Sequence, residues 1–340
     1  MTIDSIRPVK ALWDLHTMRY EYGEAGRDEY GRPKFDSYPV DAFEVPTVSK
    51  ALKESGMSVE YPGGRRFAVC LTHDVDLLYF GRTMVNLVRK DGLAHRLLHG
   101  LSLGLNPRWN MREIADLEER YGAKSTFFLE AFGPDDEDFN YFIEDAREQV
   151  SDLVERGFEI GLHGGHGAHK DFQKLTAEKA RLEKVVGAKV EGYRGHYLRF
   201  DVPDTWHLLE QAGFSYDSTI GFVDRVGFRN GMCHPFWPFD LNQDKPARVL
   251  EIPLAVMDGA LFEHRGMGIA DAERLMDKLL AQVIEANGVL TILWHNTHCR
   301  GAYGKLYGRL LGKYHDQGAW LTSAGDLAKW WMEREEGRPG

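Results

Sequence analysis

Two carboxylates and an imidazole lie within four residues at His73-Asp74-Val75-Asp76, one residue after the apolar run Phe67 to Leu71. An apolar run of this length is typical of a buried strand, and charged groups at its end are costly unless they are used. Because alternate residues of an extended chain face the same side, Asp74 and Asp76 point toward one place, which suits a cation or a metal-bound water. The alternative is a turn in which an aspartate caps the next helix. The position and the pairing favour a site.

Three histidines follow a second apolar run, Phe158 to Leu162. They lie in His163-Gly-Gly-His166-Gly-Ala-His169, where the glycines allow the backbone to approach a ligand closely. A tract of glycine and histidine is also typical of a flexible polar loop. Its position after a buried strand, together with the Asp-Val-Asp sequence after another, favours a metal site.

Two further strand ends have groups suited to acid–base chemistry. Arg194 follows Val190 to Tyr193 and can hold a carboxylate through two hydrogen bonds, although an ordinary salt bridge at the rim of the sheet is the alternative. His295 comes directly after Val289 to Trp294, an environment that shifts a histidine pKa as acid or base catalysis requires. The alternative for His295 is a core histidine whose hydrogen bonds are satisfied. Asp258 could orient such a histidine.

Apolar runs alternate with amphipathic segments from Phe67 onward, which predicts βα units around a parallel sheet or barrel. Such folds place their sites at the carboxyl ends of the strands, where the groups above fall. Residues typical of helix starts and ends predict helices over 110–122, 177–186 and 271–287. A capping box that begins at Ser323 predicts a last helix. Seven strands are predicted: Phe67 to Leu71, Ser125 to Leu129, Phe158 to Leu162, Val190 to Tyr193, Val249 to Val256, Val289 to Trp294 and Ala319 to Thr322.

Composition excludes several classes of protein. With 340 residues, 43% hydrophobic and 28% charged, the chain is typical of a globular protein with a substantial core. The formal net charge of -10 argues against nucleic acid as a partner. No run approaches the roughly 20 apolar residues of a membrane span, and the first residues lack a secretory signal. We therefore expect a cytoplasmic protein. Three scattered cysteines form neither a disulfide framework nor a CxxC zinc site, and we expect them to be reduced.

The chain divides into two parts. Residues 1–64, rich in charge, aromatics and turn formers, predict an irregular extension packed on the barrel, and residues 65–340 predict the catalytic domain. Residues 79–109 form a partly basic insertion, either a substrate-contacting loop or a surface helix. A nucleotide-binding glycine loop and a serine nucleophile elbow are both missing from the sequence, which removes the competing chemistries.

The ordered motifs resemble those of the polysaccharide deacetylase family, the NodB-homology group of carbohydrate esterases, over about residues 65–330. The resemblance implies an α/β fold, a distorted, often incomplete (β/α) barrel. It also implies removal of N-acetyl, or sometimes O-acetyl or formyl, groups with a divalent metal, usually zinc. The motifs are LTHDVD at 71–76, GAKSTFF at 122–128, FEIGLH at 158–163, GYRGHY at 192–197, YDS at 216–218 and LWH at 293–295.

The resemblance also implies roles for particular residues. Asp74 matches the general base and Asp76 the metal-binding aspartate. His163 matches the first metal histidine, Arg194 the arginine that holds the base, and His295 the general acid.

The third metal ligand stays open. The family's second histidine comes four residues after the first, where this chain has Gly167, so His166, His169 and His196 are the candidates. A backbone N–H near His196 or Tyr197 would stabilise the oxyanion with the metal. Residues expected at the substrate are Tyr197, His73 and Asp258.

The expected substrate is a sugar precursor of surface polysaccharide or glycoconjugate biosynthesis: an acetylated sugar, a nucleotide sugar or a lipid-linked saccharide. One alternative keeps the metal and changes the substrate to a non-sugar amide or formamide. Another is a non-catalytic carbohydrate-binding member that has lost its metal, which the missing second histidine makes plausible. Screening for acetate and formate release tests the first alternative, and metal analysis of the purified protein tests the second.

Overall fold

The structure of the protein, a computed structural model, describes residues 3–23, 26–79 and 108–336. Within these ranges the α-helices surround a central sheet. Their bounds are Lys10–His16 (α1), Thr47–Glu54 (α2), Met111–Glu119 (α3), Arg147–Glu155 (α4), Phe172–Val186 (α5), Asp204–Gln211 (α6), Ile269–Ala286 (α7), Gly301–Asp316 (α8) and Ala324–Glu336 (α9).

The sheet is parallel throughout, in the order β8-β5-β4-β3-β2-β1-β10-β9, with β11 also paired to β1. A short antiparallel pair, β6 and β7, lies outside it. The predicted parallel α/β barrel is therefore confirmed. The strands are Ala68–Val75 (β1), Thr126–Glu130 (β2), Glu159–Gly164 (β3), Gly192–Gly195 (β4), Tyr216–Asp217 (β5), Phe239–Asp240 (β6), Lys245–Pro246 (β7), Leu250–Glu251 (β8), Val256–Met257 (β9), Val289–Leu293 (β10) and Trp320–Thr322 (β11).

The first strand is longer than predicted. We expected β1 to end at Leu71, but it continues through His73 and Asp74 to Val75, and all eight of its residues are buried. The charged residues do not terminate it because each has a partner inside the fold: His73 contacts Glu118, and Asp74 contacts Arg194. A buried polar group that is paired is compatible with a central strand.

The predicted strand Val249 to Val256 is two short strands. β8 pairs with β5 at one edge of the sheet and β9 pairs with β10 at the other, so the four residues between them lead the chain from one edge to the other. Pro253 lies in this connection and has no amide hydrogen for a strand ladder. The short strand β5 was not predicted, and over the described residues the sheet consequently has nine strands rather than seven.

Helix ends follow local capping. Ser323 accepts a hydrogen bond from the backbone N–H of Asp326, as the predicted capping box requires. The helix predicted from residue 177 begins earlier, because Asp171 caps it by accepting from the N–H groups of Gln173 and Lys174.

The N-terminal residues contact the barrel at several points. Glu21 and Arg229 form a buried two-point ion pair, with Oε1 to Nε at 2.9 Å and Oε2 to Nη2 at 2.6 Å. Phe35 and Phe43 pack on Phe222. The division at residue 64 remains a prediction, and residues 80–107 of the predicted insertion lie outside the described residues. Among the helices that the structure describes, none is long and apolar enough to cross a membrane.

Candidate active site

The predicted site residues come together because the strands are parallel. Asp74 lies near the end of β1, His163 near the end of β3, and Arg194 in the adjacent β4, where it pairs in register with His163. His295 follows β10 and Asp258 follows β9. The carboxyl ends of parallel strands meet at one rim, so side chains that are up to 221 residues apart (Asp74 and His295) reach one cavity.

Three ligand-type side chains converge at this rim: Asp76, His163 and His196, whose ligand atoms lie within 4.8 Å of one another. The Nε2 atom of His163 lies 3.3 Å from Oδ1 of Asp76 and 3.5 Å from Oδ2 of Asp74. The two aspartates therefore reach the same imidazole nitrogen, as alternation along β1 predicts.

Outer partners leave one nitrogen of each histidine free for a ligand. His163 donates from Nδ1 to the backbone oxygen of Arg194, at 3.0 Å. His196 directs its Nδ1 to Oδ2 of Asp138, at 3.1 Å, and Arg199 holds the same oxygen. Such contacts fix the tautomer that presents Nε2 to a metal.

The donor set suits a divalent metal. Oδ1 of Asp76 is buried and accepts no hydrogen bond of regular geometry among the described residues; its near contact is Nε2 of His163 at 3.3 Å, and a cation would satisfy both atoms. Burial opposes the charge of Asp76, but the imidazoles of His163, His295 and His196 outweigh it and hold its pKa well below the usual range. One carboxylate and two imidazoles form a typical ligand set of catalytic zinc sites.

Asp74 is oriented by a buried arginine. Nη1 of Arg194 donates to Oδ1 of Asp74 at 3.1 Å and to Oγ1 of Thr72 at 2.8 Å. The rest of the guanidinium donates to the backbone oxygen and hydroxyl of Ser218, both at 2.9 Å. Arg194 is fully buried, and because it binds Oδ1 of Asp74, the other oxygen, Oδ2, faces His163.

A second group, Asp258, His295 and His298, lies beside the first. Asp258 accepts from Nδ1 of His295 at 2.5 Å and from Nδ1 of His298 at 2.9 Å, and also from the backbone N–H of His295 at 2.8 Å. Nε2 of His295 lies 3.5 Å from Oδ2 of Asp76.

The carboxylate decides the charge of these imidazoles. Burial alone would lower the pKa of His295, but Asp258, with Asp76 and Asp74 nearby, raises it to about 10. Burial also opposes the charge of Asp258, yet the two histidines hold its pKa well below the usual range. His295 is thus charged at neutral pH in this arrangement and can donate a proton from Nε2.

A cavity of about 140 Å³ is lined by all three residues of the first group and by His295 of the second. Its lining also includes Tyr197, whose side chain is 42% exposed at the rim, and Arg32 from the N-terminal residues. A larger cavity of about 520 Å³ opens at the opposite, amino ends of β3, β4 and β5. Neither of the two possible metal-binding groups found among the described residues lies there.

Several residues named from the sequence do not take the expected position. Asp258 was expected at the substrate, but it is fully buried behind His295 and does not line the cavity. His73 was expected at the substrate, but its ring is fully buried on the other side of β1 and contacts Glu118, Tyr307 and the backbone oxygen of Trp294. Alternation along the strand places it opposite Asp74.

His166 and His169 also lie outside the metal-type group. The ring of His166 is 41% exposed and lies 3.8 Å from Glu137, and His169 lies 3.7 Å from Asp201. Of the three candidates for the third ligand, the structure brings only His196 to Asp76 and His163.

Sequence reasoning missed three residues of the site. Asp138 lies in an acidic loop and contacts His196, 58 positions away, and no local pattern indicates this contact. Glu130 ends β2, and its carboxylate lies 3.9 Å from Nε2 of His196. His298, three residues after His295, was the only one with a sequence signal, namely that spacing.

Comparisons with known proteins bear on the fold. No protein-family model matches the sequence, and no curated protein matches it. Among solved structures, a candidate polysaccharide deacetylase from Mycobacterium smegmatis aligns with a TM-score of 0.60 at 18% identity, over 82% of this chain and 95% of its own. PuuE allantoinase aligns with a TM-score of 0.58 at 18% identity, over 91% of this chain and 98% of its own. A candidate polysaccharide deacetylase from Pseudomonas aeruginosa PAO1 aligns with a TM-score of 0.59 at 17% identity, over 93% of this chain and 100% of its own.

At these identities the likeness concerns the fold. The chain has the NodB-like fold of polysaccharide deacetylases, as the resemblance of its motifs implied. Fold and geometry together define an α/β barrel with a candidate metal site at the carboxyl ends of its strands.

Proposed function

We propose that the protein is a metal-dependent hydrolase that removes an N-acetyl or related acyl group from a sugar precursor. One observation carries the proposal: Asp74, a buried carboxylate, lies beside the three-ligand group Asp76, His163 and His196, within 3.5 Å of His163. A carboxylate that is next to a metal site but outside its ligand group has the position of a general base.

Asp76, His163 and His196 would hold the metal. When bound, a divalent metal supplies Lewis-acid polarisation of the acyl carbonyl and makes a water molecule more acidic. Zinc is the proposed ion, because the set of one carboxylate and two imidazoles is typical of it.

The remaining residues divide the proton transfers. Asp74, oriented by Arg194, takes a proton from the attacking water through the oxygen that faces His163. His295 donates a proton from Nε2 to the departing amine, which is otherwise a poor leaving group. Asp258 holds His295 in the tautomer that this step requires and stabilises its charge.

The cavity supports a small acyl group on a larger substrate. Its volume of about 140 Å³ suits an acetyl or formyl group, and the half-exposed ring of Tyr197 at the rim can stack on a sugar. We propose a cytoplasmic nucleotide-linked or lipid-linked saccharide as the substrate. A non-sugar amide or formamide uses the same chemistry, so the assay must include both classes.

The test measures acetate and formate release from nucleotide sugars, glycolipids and small amides, with metal content measured in parallel. Wild type should contain one divalent ion per chain and release acid from an acetylated sugar. Asp74→Asn should lose about 10²- to 10⁴-fold in kcat and keep the metal.

Asp240→Asn is the matched control, since Asp240 is a buried aspartate that pairs with His207 away from the cavity. It should keep full activity. Full activity in Asp74→Asn would show that Asp74 is not the general base. A wild-type protein that binds no divalent ion would support the non-catalytic alternative.

A further inference from the structure

We infer that residues 27–33, the N-terminal turn, form part of the active site and that Arg32 is a positioning residue for the segment His196–Tyr197. The inference rests on the proposed function for its catalytic consequence. Its structural consequence can be measured without a substrate.

The segment to be held is strained. Tyr197 has φ 58° and ψ 20°, and Leu198 has φ 54°, so two consecutive non-glycine residues occupy the left-handed region. A non-glycine residue in this region is strained and persists only where its surroundings fix it. The strained pair directly follows His196, the proposed third metal ligand.

The N-terminal turn supplies the contacts that fix this conformation. Nη1 of Arg32 donates to the backbone oxygen of Tyr197 at 3.0 Å. The ring of Tyr30 stacks on that of Tyr197 with centroids 4.8 Å apart, and Arg199 lies over both rings. The ring of His196 also stacks on that of Tyr197, with ring centroids 4.0 Å apart.

The turn is itself built around Arg32. Asp28 accepts from the backbone N–H groups of Tyr30 and Arg32 through Oδ1, and its Oδ2 lies 2.7 Å from both Nε and Nη2 of Arg32. Gly31 permits the left-handed turn, with φ 77°. Arg27 anchors the turn to the barrel through Asp201, at 3.2 Å.

A planar guanidinium is required for this arrangement. Arg32 directs one edge to Asp28 and another nitrogen to Tyr197, while its Cζ lies 4.6 Å from the ring centre of Tyr30. A lysine has a single ammonium group and cannot make this set of contacts at once. Arg32 also lines the cavity with Asp76 and His163, so the loss of its contacts acts directly at the site.

The N-terminal region offers a matched control. Arg7 forms an ion pair with Asp244 at 2.6 Å and lies over the ring of Trp13 at 5.2 Å, but it does not line the cavity. It therefore has the same kinds of contact as Arg32 without the contact to Tyr197.

The experiment compares wild type, Arg32→Ala, Arg32→Lys and Arg7→Ala as full-length proteins. Three quantities are measured: hydrogen–deuterium exchange of the peptide that contains residues 196–199, zinc affinity by competition with a chelator, and kcat and KM for the best substrate. For Arg32→Ala we expect about tenfold faster exchange, about tenfold weaker zinc binding and at least tenfold lower kcat, with a smaller change in KM. Arg32→Lys should be intermediate and Arg7→Ala unchanged.

Each outcome decides a different point. Unchanged exchange and zinc affinity in Arg32→Ala would overturn the inference whether or not the protein is a deacetylase. Equal effects in Arg32→Ala and Arg7→Ala would also overturn it, because they would indicate a general loss of stability. If wild type is inactive on every substrate, the proposed function fails, while altered exchange and zinc binding in Arg32→Ala alone would still uphold the positioning role.

Discussion

The two histidine groups at the rim have the same composition, one aspartate and two histidines, and opposite hydrogen-bond arrangements. In the group Asp76, His163 and His196, the Nδ1 atoms of both histidines bind outer partners, and Nε2 of His163 faces Oδ1 of Asp76, which accepts no hydrogen bond of regular geometry. In the group Asp258, His295 and His298, both Nδ1 atoms bind the carboxylate itself.

This difference shows that outer contacts, rather than residue types, decide what a histidine group can do. A carboxylate whose oxygens already accept several hydrogen bonds has little capacity left to bind a cation. The same carboxylate favours the charged form of the imidazoles that donate to it. We therefore assign metal binding to the first group and proton transfer to the second. Four predictions test this contrast.

The largest effect is expected for His163→Ala. Removing an inward-facing ligand should weaken zinc binding by more than the roughly 100-fold that loss of an outer partner costs, and activity should fall with metal content. His298→Ala should keep the metal, since its Nδ1 is bound to Asp258. Metal analysis after dialysis measures both variants. Metal loss in His298→Ala would contradict the assignment of metal binding to the first group alone.

Asp258→Asn should lower kcat by about 10²- to 10⁴-fold and leave zinc binding intact. The amide offers one acceptor oxygen, but Asp258 accepts from both imidazoles and from the backbone of His295, so at least one ring must lose its Nδ1 proton or its contact with residue 258. Kinetics and zinc content are measured on the same sample. A variant that loses its zinc would show that this group also binds the metal.

Asp138→Ala should weaken zinc binding by about 10- to 100-fold, because His196 loses the partner that fixes its Nδ1. Asp240→Ala is the control, since it removes a similar aspartate–histidine contact, to His207, away from the cavity. Chelator competition gives both affinities. Equal affinities in the two variants would argue against His196 as the third ligand.

The smallest effect concerns His16, a buried histidine without a carboxylate. Burial lowers the pKa of His16 to about 3, and neither ring nitrogen has a hydrogen-bond partner among the described residues. The unfolded chain, with a histidine pKa near 6.5, therefore binds an extra proton between about pH 6.5 and pH 3. The free energy of unfolding should fall with acidification over this range.

His16→Leu removes the ionisable ring at similar volume. Its free energy of unfolding should fall less steeply with acidification, by about 1.4 kcal/mol per pH unit for one proton. Urea unfolding at a series of pH values measures the slopes. Identical slopes would mean that His16 is not neutral in the folded protein, and that burial without a carboxylate does not suppress its charge.

The fold was predictable where local pattern decided it. Apolar runs located each of the seven expected strand regions, because a buried parallel strand requires such a run. The end of β1 was misjudged, since the sequence does not show that Glu118 and Arg194 pair with the charged residues inside the strand. The break at Pro253 and the two-residue strand β5 were missed for lack of any extended pattern.

The sequence by itself determined that chemically active side chains end several parallel strands, and that Asp74 and Asp76 face one point, because strand periodicity is a property of the local chain. Only the tertiary structure decided that His196, rather than His166, joins Asp76 and His163, and which nitrogen each histidine presents. These choices depend on contacts between residues that are far apart in the sequence. His196 contacts Asp138, 58 residues away, and Tyr197 contacts Arg32, 165 residues away. No spacing along the chain specifies such contacts, since they form only when the elements pack.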